Sequence, residues 1–228
     1  MTCYQLDDEL WFPPVEAAED YGLLAVGGDL SPERLLLAYS LGIFPWYNPE
    51  DPILWWSPNP RCVLFPAKLH ISRSLQRFMR KRPYRVSFNE NFAGVIDWCR
   101  SLRAGPDGSG TWITPEMEKA YTRLHQLGFA HSVECWEDDQ LIGGLYGICI
   151  GRCFFGESMF SRSKNASKVV LVHLLEYLQQ QGFELLDCQQ TNDHLLSMGA
   201  EEISRQEFLH HLEKAQVPPY GPLVSQFE

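Results

Sequence analysis

Apolar positions recur every three or four residues in some stretches of the chain and alternate in others. The change of period divides it into elements. Ser31-Pro32-Glu33 opens a predicted helix: Ser31 suits the N-cap, Pro32 the first helical position and Glu33 the positive end of the dipole, and Gly42 ends it. Ser72 to Lys81 reads as a basic helix with Leu75, Phe78 and Met79 at the spacing of an apolar stripe. Phe92 to Leu102 is helical, and Thr114-Pro115-Glu116 starts a capped helix that Gly128 stops. Asn165 to Gln181 is the most apolar helix; a short one near Asn192 to Met198 and a last one over Gln206 to Lys214 follow. Strands are expected at Arg61 to Phe65, Tyr84 to Phe88, His131 to Trp136, Leu141 to Ile150, Arg152 to Glu157, Phe183 to Gln189 and Glu201 to Ser204. Phe44-Pro45-Trp46 to Trp55-Trp56-Ser57-Pro58, with prolines at 45, 49, 52, 58 and 60 in and beside it, is expected to be a rigid loop. Ala104 to Gly110 is a Gly-rich loop.

The second half therefore runs meander, helix, strand, helix, strand. That order predicts an α+β fold with a mixed sheet, similar to the acetyltransferase superfamily. Residues 1–60 form a small Trp/Pro-rich N-terminal domain in this reading, and residues 61–228 the catalytic domain. Hydrophobic residues make up 45% of the 228, which predicts a packed core. The longest apolar runs fall far short of the ~20 residues of a membrane helix. The start of the chain carries Asp7, Asp8 and Glu9 and lacks the basic residues of a secretory signal. Seven scattered cysteines with no Cys-x-x-Cys pair read as reduced thiols in a cytoplasm, not as disulfides or a zinc site. The expected location is cytoplasmic, with no membrane partner. His210 and His211 are read as surface histidines.

Charge changes this picture. The net charge is −10, yet from Arg61 to Arg103 there are ten basic residues and two acids. A local positive field on an acidic body can hold a polyanion selectively, although a solvated helix face would look the same.

The acetyltransferase order also invites a comparison of sites. The turn before the apolar helix, Ser161 to Ser167, has no glycine that would let a diphosphate reach consecutive backbone N–H groups, which disfavours a CoA donor. No phosphate-binding or dinucleotide motif appears elsewhere, so no cofactor is expected. Three polar groups stand out. Glu157 ends a strand rich in phenylalanine, and Asp187 and Gln189 lie two apart in an apolar strand, on one face by period two. A carboxylate there needs a partner. On the residues alone a buried ion pair, for instance with Arg162, and a functional cluster both remain open.

A longer set of matches goes further. Gly27-Gly28-Asp29-Leu30-Ser31, Gly42-Ile43-Phe44-Pro45-Trp46, Asp51 to Arg61 (DPILWWSPNPR), His70-Ile71-Ser72-Arg73-Ser74 and Gly110-Thr111-Trp112-Ile113-Thr114 occur in that order. Gly156 to Arg162 (GESMFSR), Asn165-Ala166-Ser167-Lys168 and Asp187-Cys188-Gln189 with Asn192-Asp193-His194 follow. With these motifs the chain resembles the bacterial leucyl/phenylalanyl-tRNA–protein transferases over roughly residues 22 to 210. The resemblance implies an N-terminal segment on an acetyltransferase-like domain. It implies transfer of Leu or Phe, less readily Met, from aminoacyl-tRNA to proteins beginning with Arg or Lys, which marks them for degradation. It implies a monomer.

It also implies that Asp187, Gln189 and Glu157 line the reaction centre. One role proposed for the family has Asp187 polarise Gln189 as a base; in the other, favoured here because a neutral amide is a very poor base, Asp187 and Glu157 position the cationic acceptor and Gln189 fixes the amine or ester, with the neighbouring ribose hydroxyl relaying the proton. Both stay open on the sequence. Trp46 and Trp112 would hold the terminal adenosine by stacking, whereas Trp11, Trp98 and Trp136 read as core. Leu145, Phe154, Met159, Leu171, Leu174 and Leu178 are the candidates for the pocket that takes the amino-acid side chain. Arg80, Lys81 and Arg82 would meet the tRNA stem. Three other readings compete: a Fem-like transferase acting on cell-wall precursors, an acyl-CoA acetyltransferase and a non-catalytic tRNA-binding module.

Overall fold

The computed structural model describes residues 3–81, 84–102 and 111–216. The first region builds β1 (Tyr4–Leu6), β2 (Leu23–Gly27), α1 (Pro32–Ser40), β3 (Phe44–Pro45) and β4 (Leu54–Trp56). Its strands form a sheet in the order β1-β2-β4-β3. The expected rigid loop at 44 to 58 is thus a hairpin, β3 pairing antiparallel with β4. Aromatic residues favour a pleated, half-buried surface, and Pro45 sits on the edge strand, where its missing N–H breaks no ladder. Trp55, the ladder partner of Ala25 on β2, is fully buried, and its indole N–H donates to Gly27 O at 2.9 Å.

The second region supplies β5 (Arg61–Leu64), α2 (Arg73–Met79), β6 (Arg85–Phe88), α3 (Phe92–Ser101), α4 (Pro115–Gln126), β7 (Ala130–Glu137), β8 (Gln140–Ile150) and β9 (Cys153–Ser161). After these come α5 (Ala166–Gln180), β10 (Leu185–Gln189), α6 (Asp193–Ser197), β11 (Glu201–Ile203) and α7 (Arg205–Lys214). Side chains of Ser31, Ser72, Asn91, Thr114, Asn192 and Ser204 cap their helices. The strands make a seven-stranded mixed sheet, β11-β5-β10-β9-β8-β7-β6, whose one parallel pair among the described residues is β9 with β10. The fold is α+β, as the element order predicts. The Gly-rich loop expected at Ala104 to Gly110 lies outside the described residues.

Helices cover both faces. Val133, Leu145 and Phe154 pack with Leu171, Leu174 and Leu178 of α5 on one side. Tyr146, Ile148 and Phe155 pack with α3, α4, α1 and the first sheet on the other. This two-sided burial is why β8 reads as a nearly continuous apolar run (LIGGLYGICI), unlike a half-exposed strand. Trp11, Trp98 and Trp136 are partly buried against the second cluster. His211 differs from expectation: it is largely buried, with Nδ1 2.6 Å from Glu184 and its ring against Phe65.

Two irregularities position the site. In the β8–β9 ladder Gly147 faces Gly156 and Tyr146 faces Ser158, so Glu157 is the extra residue of a bulge. In the β10–β5 ladder Asp187 faces Val63 and Gln189 faces Cys62, so Cys188 is extra. Gln189 adopts φ +62°, outside strand geometry. Bulges re-aim side chains and are common beside sites. The parallel β9–β10 register ends at Phe155 opposite Asp187. Beyond that point the strands part, and a cavity of about 350 Å³ opens between them.

The first bulge depends on Gly147. A Cβ there would lie 2.2 Å from Phe155 O and 2.5 Å from the Phe154 ring. Gly147→Ala is expected to destabilise the fold by ~2–3 kcal/mol, the upper range for overpacking. The check is a lower urea midpoint at unchanged slope; an unchanged midpoint would mean that the bulge relaxes freely.

Candidate active site

The parting of β9 and β10 leaves a cavity with an apolar and a polar part. Leu145, Met159, Leu171, Leu174, Leu186 and Leu195 supply the apolar wall, and Glu157, Ser158, Gln189, Asn192 and His194 the polar one. A second, smaller hollow of about 200 Å³ carries Phe44, Pro45, Trp46 and Trp112. Glu157, Cys188, Gln189 and Asn192 border both. The two hollows are therefore lobes of one cleft that meet at Glu157 and Gln189.

Of the expected pocket residues, four are brought together here: Leu145, Met159, Leu171 and Leu174. Phe154 and Leu178 are not; both are fully buried in the core behind that wall. Period 3.6 marks the inward face of α5, but it does not separate the residues at the cavity from those one turn deeper. Trp46, 39% exposed, and the half-buried Trp112 stand on the second lobe, with Trp46 edge-on to Trp56 at 5.7 Å.

The polar centre is built in two tiers. Asp187 is fully buried, and Arg61 grips it with two hydrogen bonds, Nε to Oδ1 at 2.8 Å and Nη2 to Oδ2 at 2.7 Å. Arg61 donates once more, to Gly42 O at 3.1 Å, and lies between the rings of Phe44 and Phe208. Asp187 Oδ1 also accepts the backbone N–H of Gln189 at 2.9 Å. The ion pair read from the strand exists, but its partner is Arg61, not Arg162. Arg162 stacks instead on Trp98 at 3.9 Å. Both oxygens are thus taken and the side chain has no exposed surface, although the residue borders the cavity. Asp187 holds Gln189 in its left-handed turn.

Gln189 forms the upper tier with Glu157. Its Nε2 donates to Glu157 Oε1 at 3.1 Å, and its Oε1 has no hydrogen bond among the described residues. Tyr39 of α1 and Tyr121 of α4 also share hydrogen bonds with Glu157, their hydroxyl oxygens 2.7 Å from Oε1 and 2.9 Å from Oε2. Burial pushes the Glu157 carboxyl up to about 7, against the pull of the hydrogen bonds from Tyr39 and Tyr121; the charge of Asp187 adds to the rise. Sequence reading missed Tyr39, Tyr121 and Arg61. The available signal was a polar-tipped ring inside an apolar helix face, Leu35-Leu36-Leu37-Ala38-Tyr39, since a buried Tyr hydroxyl needs a partner.

The basic window divides in three dimensions. Arg61, Lys68, Arg85 and Arg100 are in ion pairs. Arg73, Arg77, Arg80 and Lys81, all exposed on α2 and its C-terminal end, have no ion pair among the described residues. Arg82 lies outside the described residues. Among those described, no group of three His, Cys, Asp or Glu side chains could hold a metal ion, and no helix is long and apolar enough to cross a membrane.

Comparison with known proteins completes the picture. Residues 63–213 match the family described as leucyl/phenylalanyl-tRNA protein transferase, and residues 28–59 match that family's N-terminal domain. A leucyl/phenylalanyl-tRNA–protein transferase of Syntrophobacter fumaroxidans is 60% identical over 92% of this chain and 89% of its own. One of Syntrophotalea carbinolica is 57% identical over 99% and 100%. Likeness to solved structures is remote: an aminoglycoside acetyltransferase from a soil metagenome is 10% identical, with a TM-score of 0.38, covering 65% of this chain and 96% of that one.

The two-tier centre makes a stability prediction. Asp187→Asn leaves the buried Arg61 guanidinium without its counter-charge, so the fold should lose ~3–5 kcal/mol, the usual cost of breaking a buried pair. Thermal or urea unfolding measures it. Wild-type stability with lost activity would show instead that Asp187 serves the reaction alone.

Proposed function

The chain belongs to the leucyl/phenylalanyl-tRNA protein transferase family, and from that membership we propose that it moves leucine or phenylalanine, less readily methionine, from aminoacyl-tRNA onto the α-amine of proteins beginning with arginine or lysine. The product carries a new N-terminal residue that marks it for degradation. On this reading the enzyme works as a monomer in the cytoplasm and uses no cofactor.

One observation carries the assignment of the cleft: an apolar lobe and an aromatic lobe meet at the Glu157–Gln189 contact. The 3′ end of a charged tRNA has the same layout, an amino-acid side chain and an adenine joined through an ester. The side chain enters the lobe of Leu145, Met159, Leu171 and Leu174. The adenosine rests on Trp46, contributed by the small domain that we place at residues 1–60, and on Trp112. The ester then falls at Glu157 and Gln189. Such an ester is already activated, so the enzyme's work is to hold two substrates together and limit water. The free amide oxygen of Gln189 accepts an N–H of the acceptor amine; an α-amino group titrates near ~8, which leaves a useful neutral fraction. Asp187 and Arg61 keep Gln189 in place. The tRNA stem lies against the unpaired charges of α2 and its end, Arg80 and Lys81 among them, with Arg82 next in the chain.

The direct test is transfer of radiolabelled phenylalanine from Phe-tRNA to a peptide beginning with Arg. Labelled product is expected, with none on a peptide whose N-terminus is acetylated. Ile-tRNA should be a poor donor, because a β-branched side chain fits this lobe badly; the difference should be graded, ~1–3 kcal/mol for such apolar discrimination. Equal use of Ile-tRNA and Leu-tRNA would overturn the pocket assignment.

The charge on α2 is tested separately. Arg80→Ala with Lys81→Ala should weaken binding of all accepted tRNAs alike and give a shallower dependence on salt, because phosphate contacts position without specifying. An unchanged salt slope would move the tRNA contact elsewhere.

A further inference from the structure

Three side chains meet beneath the junction of the two lobes. Tyr39 Oη lies 2.7 Å from Glu157 Oε1, Tyr121 Oη lies 2.9 Å from Glu157 Oε2, and the two tyrosine oxygens are 2.5 Å apart. Both tyrosines are fully buried, and burial raises their own hydroxyls well above the ordinary range, so each keeps its proton. Each short O···O contact needs one proton between its oxygens. The hydroxyls carry two, and there are three contacts.

An ionised Glu157 would draw both hydroxyl protons to itself. The Tyr39–Tyr121 contact would then bring two lone pairs together at 2.5 Å in a poorly screening interior. One more proton, on the carboxyl, closes the ring. Oε1 already accepts from Gln189 Nε2, which suits a carbonyl-type oxygen with two lone pairs. The carboxyl proton then sits on Oε2 and is donated to Tyr121, Tyr121 donates to Tyr39, and Tyr39 donates to Oε1.

We propose that Glu157, Tyr39 and Tyr121 form a closed ring that stores one proton at rest, and that Glu157 carries this proton in the transfer reaction, with the two tyrosines as positioning residues. The second half rests on the aminoacyl transfer proposed above. The acceptor attacks as a neutral amine: its lone pair forms the new C–N bond at the ester carbon. As the bond from that carbon to the ribose oxygen breaks, its electron pair leaves with the oxygen, which takes the proton from Glu157. The nitrogen, now one proton in excess, returns a proton to the carboxylate. The ring ends as it began. While the carboxylate is briefly charged, both hydroxyls and the Gln189 amide donate to it. The other groups facing the ring fit this role: Tyr146 of β8 lies against Tyr121 at 5.6 Å between ring centroids, and the nearby Asp187 charge is matched by Arg61.

The proton can be observed without any substrate. In ¹³C NMR of the side-chain carboxyls of the full-length protein, Glu157→Gln identifies the Glu157 signal, whose titration midpoint is expected near 7. Tyr121→Phe and Tyr39→Phe each remove a hydroxyl that donates to the ionised carboxylate, so each midpoint should move up, by ~1 unit for the loss of one such interaction. Below its midpoint the wild-type ring should show three strongly deshielded exchangeable ¹H signals, one more than the two hydroxyls supply. A count of two there, or a wild-type midpoint in the ordinary carboxylate range, overturns the ring.

Kinetics test the use of the proton. With saturating Phe-tRNA, Glu157→Gln should lower kcat ~100-fold, the usual range for a lost acid–base group, with the peptide KM little changed. A loss confined to KM would overturn the carrier role while the ring stands. No transfer by the unmodified protein would overturn the transferase reading instead, leaving the NMR result intact.

Discussion

The buried pair of Arg61 and Asp187 is the constraint on which the site depends. It joins the edge of the first sheet, through Gly42 and Phe44, to β5, β10 and α7 of the second region. A pair in such a place is weak as a source of net stability, because desolvating both charges offsets most of their attraction. What it supplies is specificity of arrangement. A guanidinium with planar donors accepts one orientation of the carboxylate, and the same carboxylate fixes the backbone of Gln189. The left-handed turn that aims Gln189 at Glu157 is therefore held from behind, by a buried ion pair.

The cleft itself comes from two departures from regular β geometry, facing each other where a parallel pair ends. Each bulge adds one residue, Glu157 on β9 and Cys188 on β10, and both ladders resume or stop just beyond. Had both strands stayed regular, period two would have kept their side chains in the core layers on either side of the sheet. The extra residues free Glu157 and Gln189 to meet. Gly147 makes room for the first bulge, because no Cβ fits against Phe155.

The two acids of the centre differ through their partners. Asp187 has a fixed cation on both oxygens. Glu157 has hydroxyls and an amide, which stabilise a negative charge less than a guanidinium does, so burial dominates and holds its proton to about 7. One carboxylate is thereby structural and the other is poised near neutrality, an asymmetry suited to moving a proton in a reaction whose bonds form and break beside it.

Much of this was legible in the chain. Caps at Ser31 and Thr114, the apolar period of α5 and the alternating strands predicted the elements, because those signals are local and act within a turn or a strand. The run of motifs from Gly27 to His194 pointed to the family, and Glu157, Asp187 and Gln189 stood out as polar groups in apolar strands. The hairpin at Phe44 to Trp56 was hidden by its prolines, and Phe154 and Leu178 were indistinguishable from cavity residues on a single apolar face. Arg61 as partner of Asp187, 126 positions away, and Tyr39 as partner of Glu157, 118 away, could not be read at all. Sequence by itself determined the helices and the strands of the second region, and which polar groups would need partners when buried. Which partners they found was decided only by the tertiary structure, because hydrogen bonds and ion pairs act over about 3 Å and depend on where bulges, strand order and helix docking bring distant atoms together.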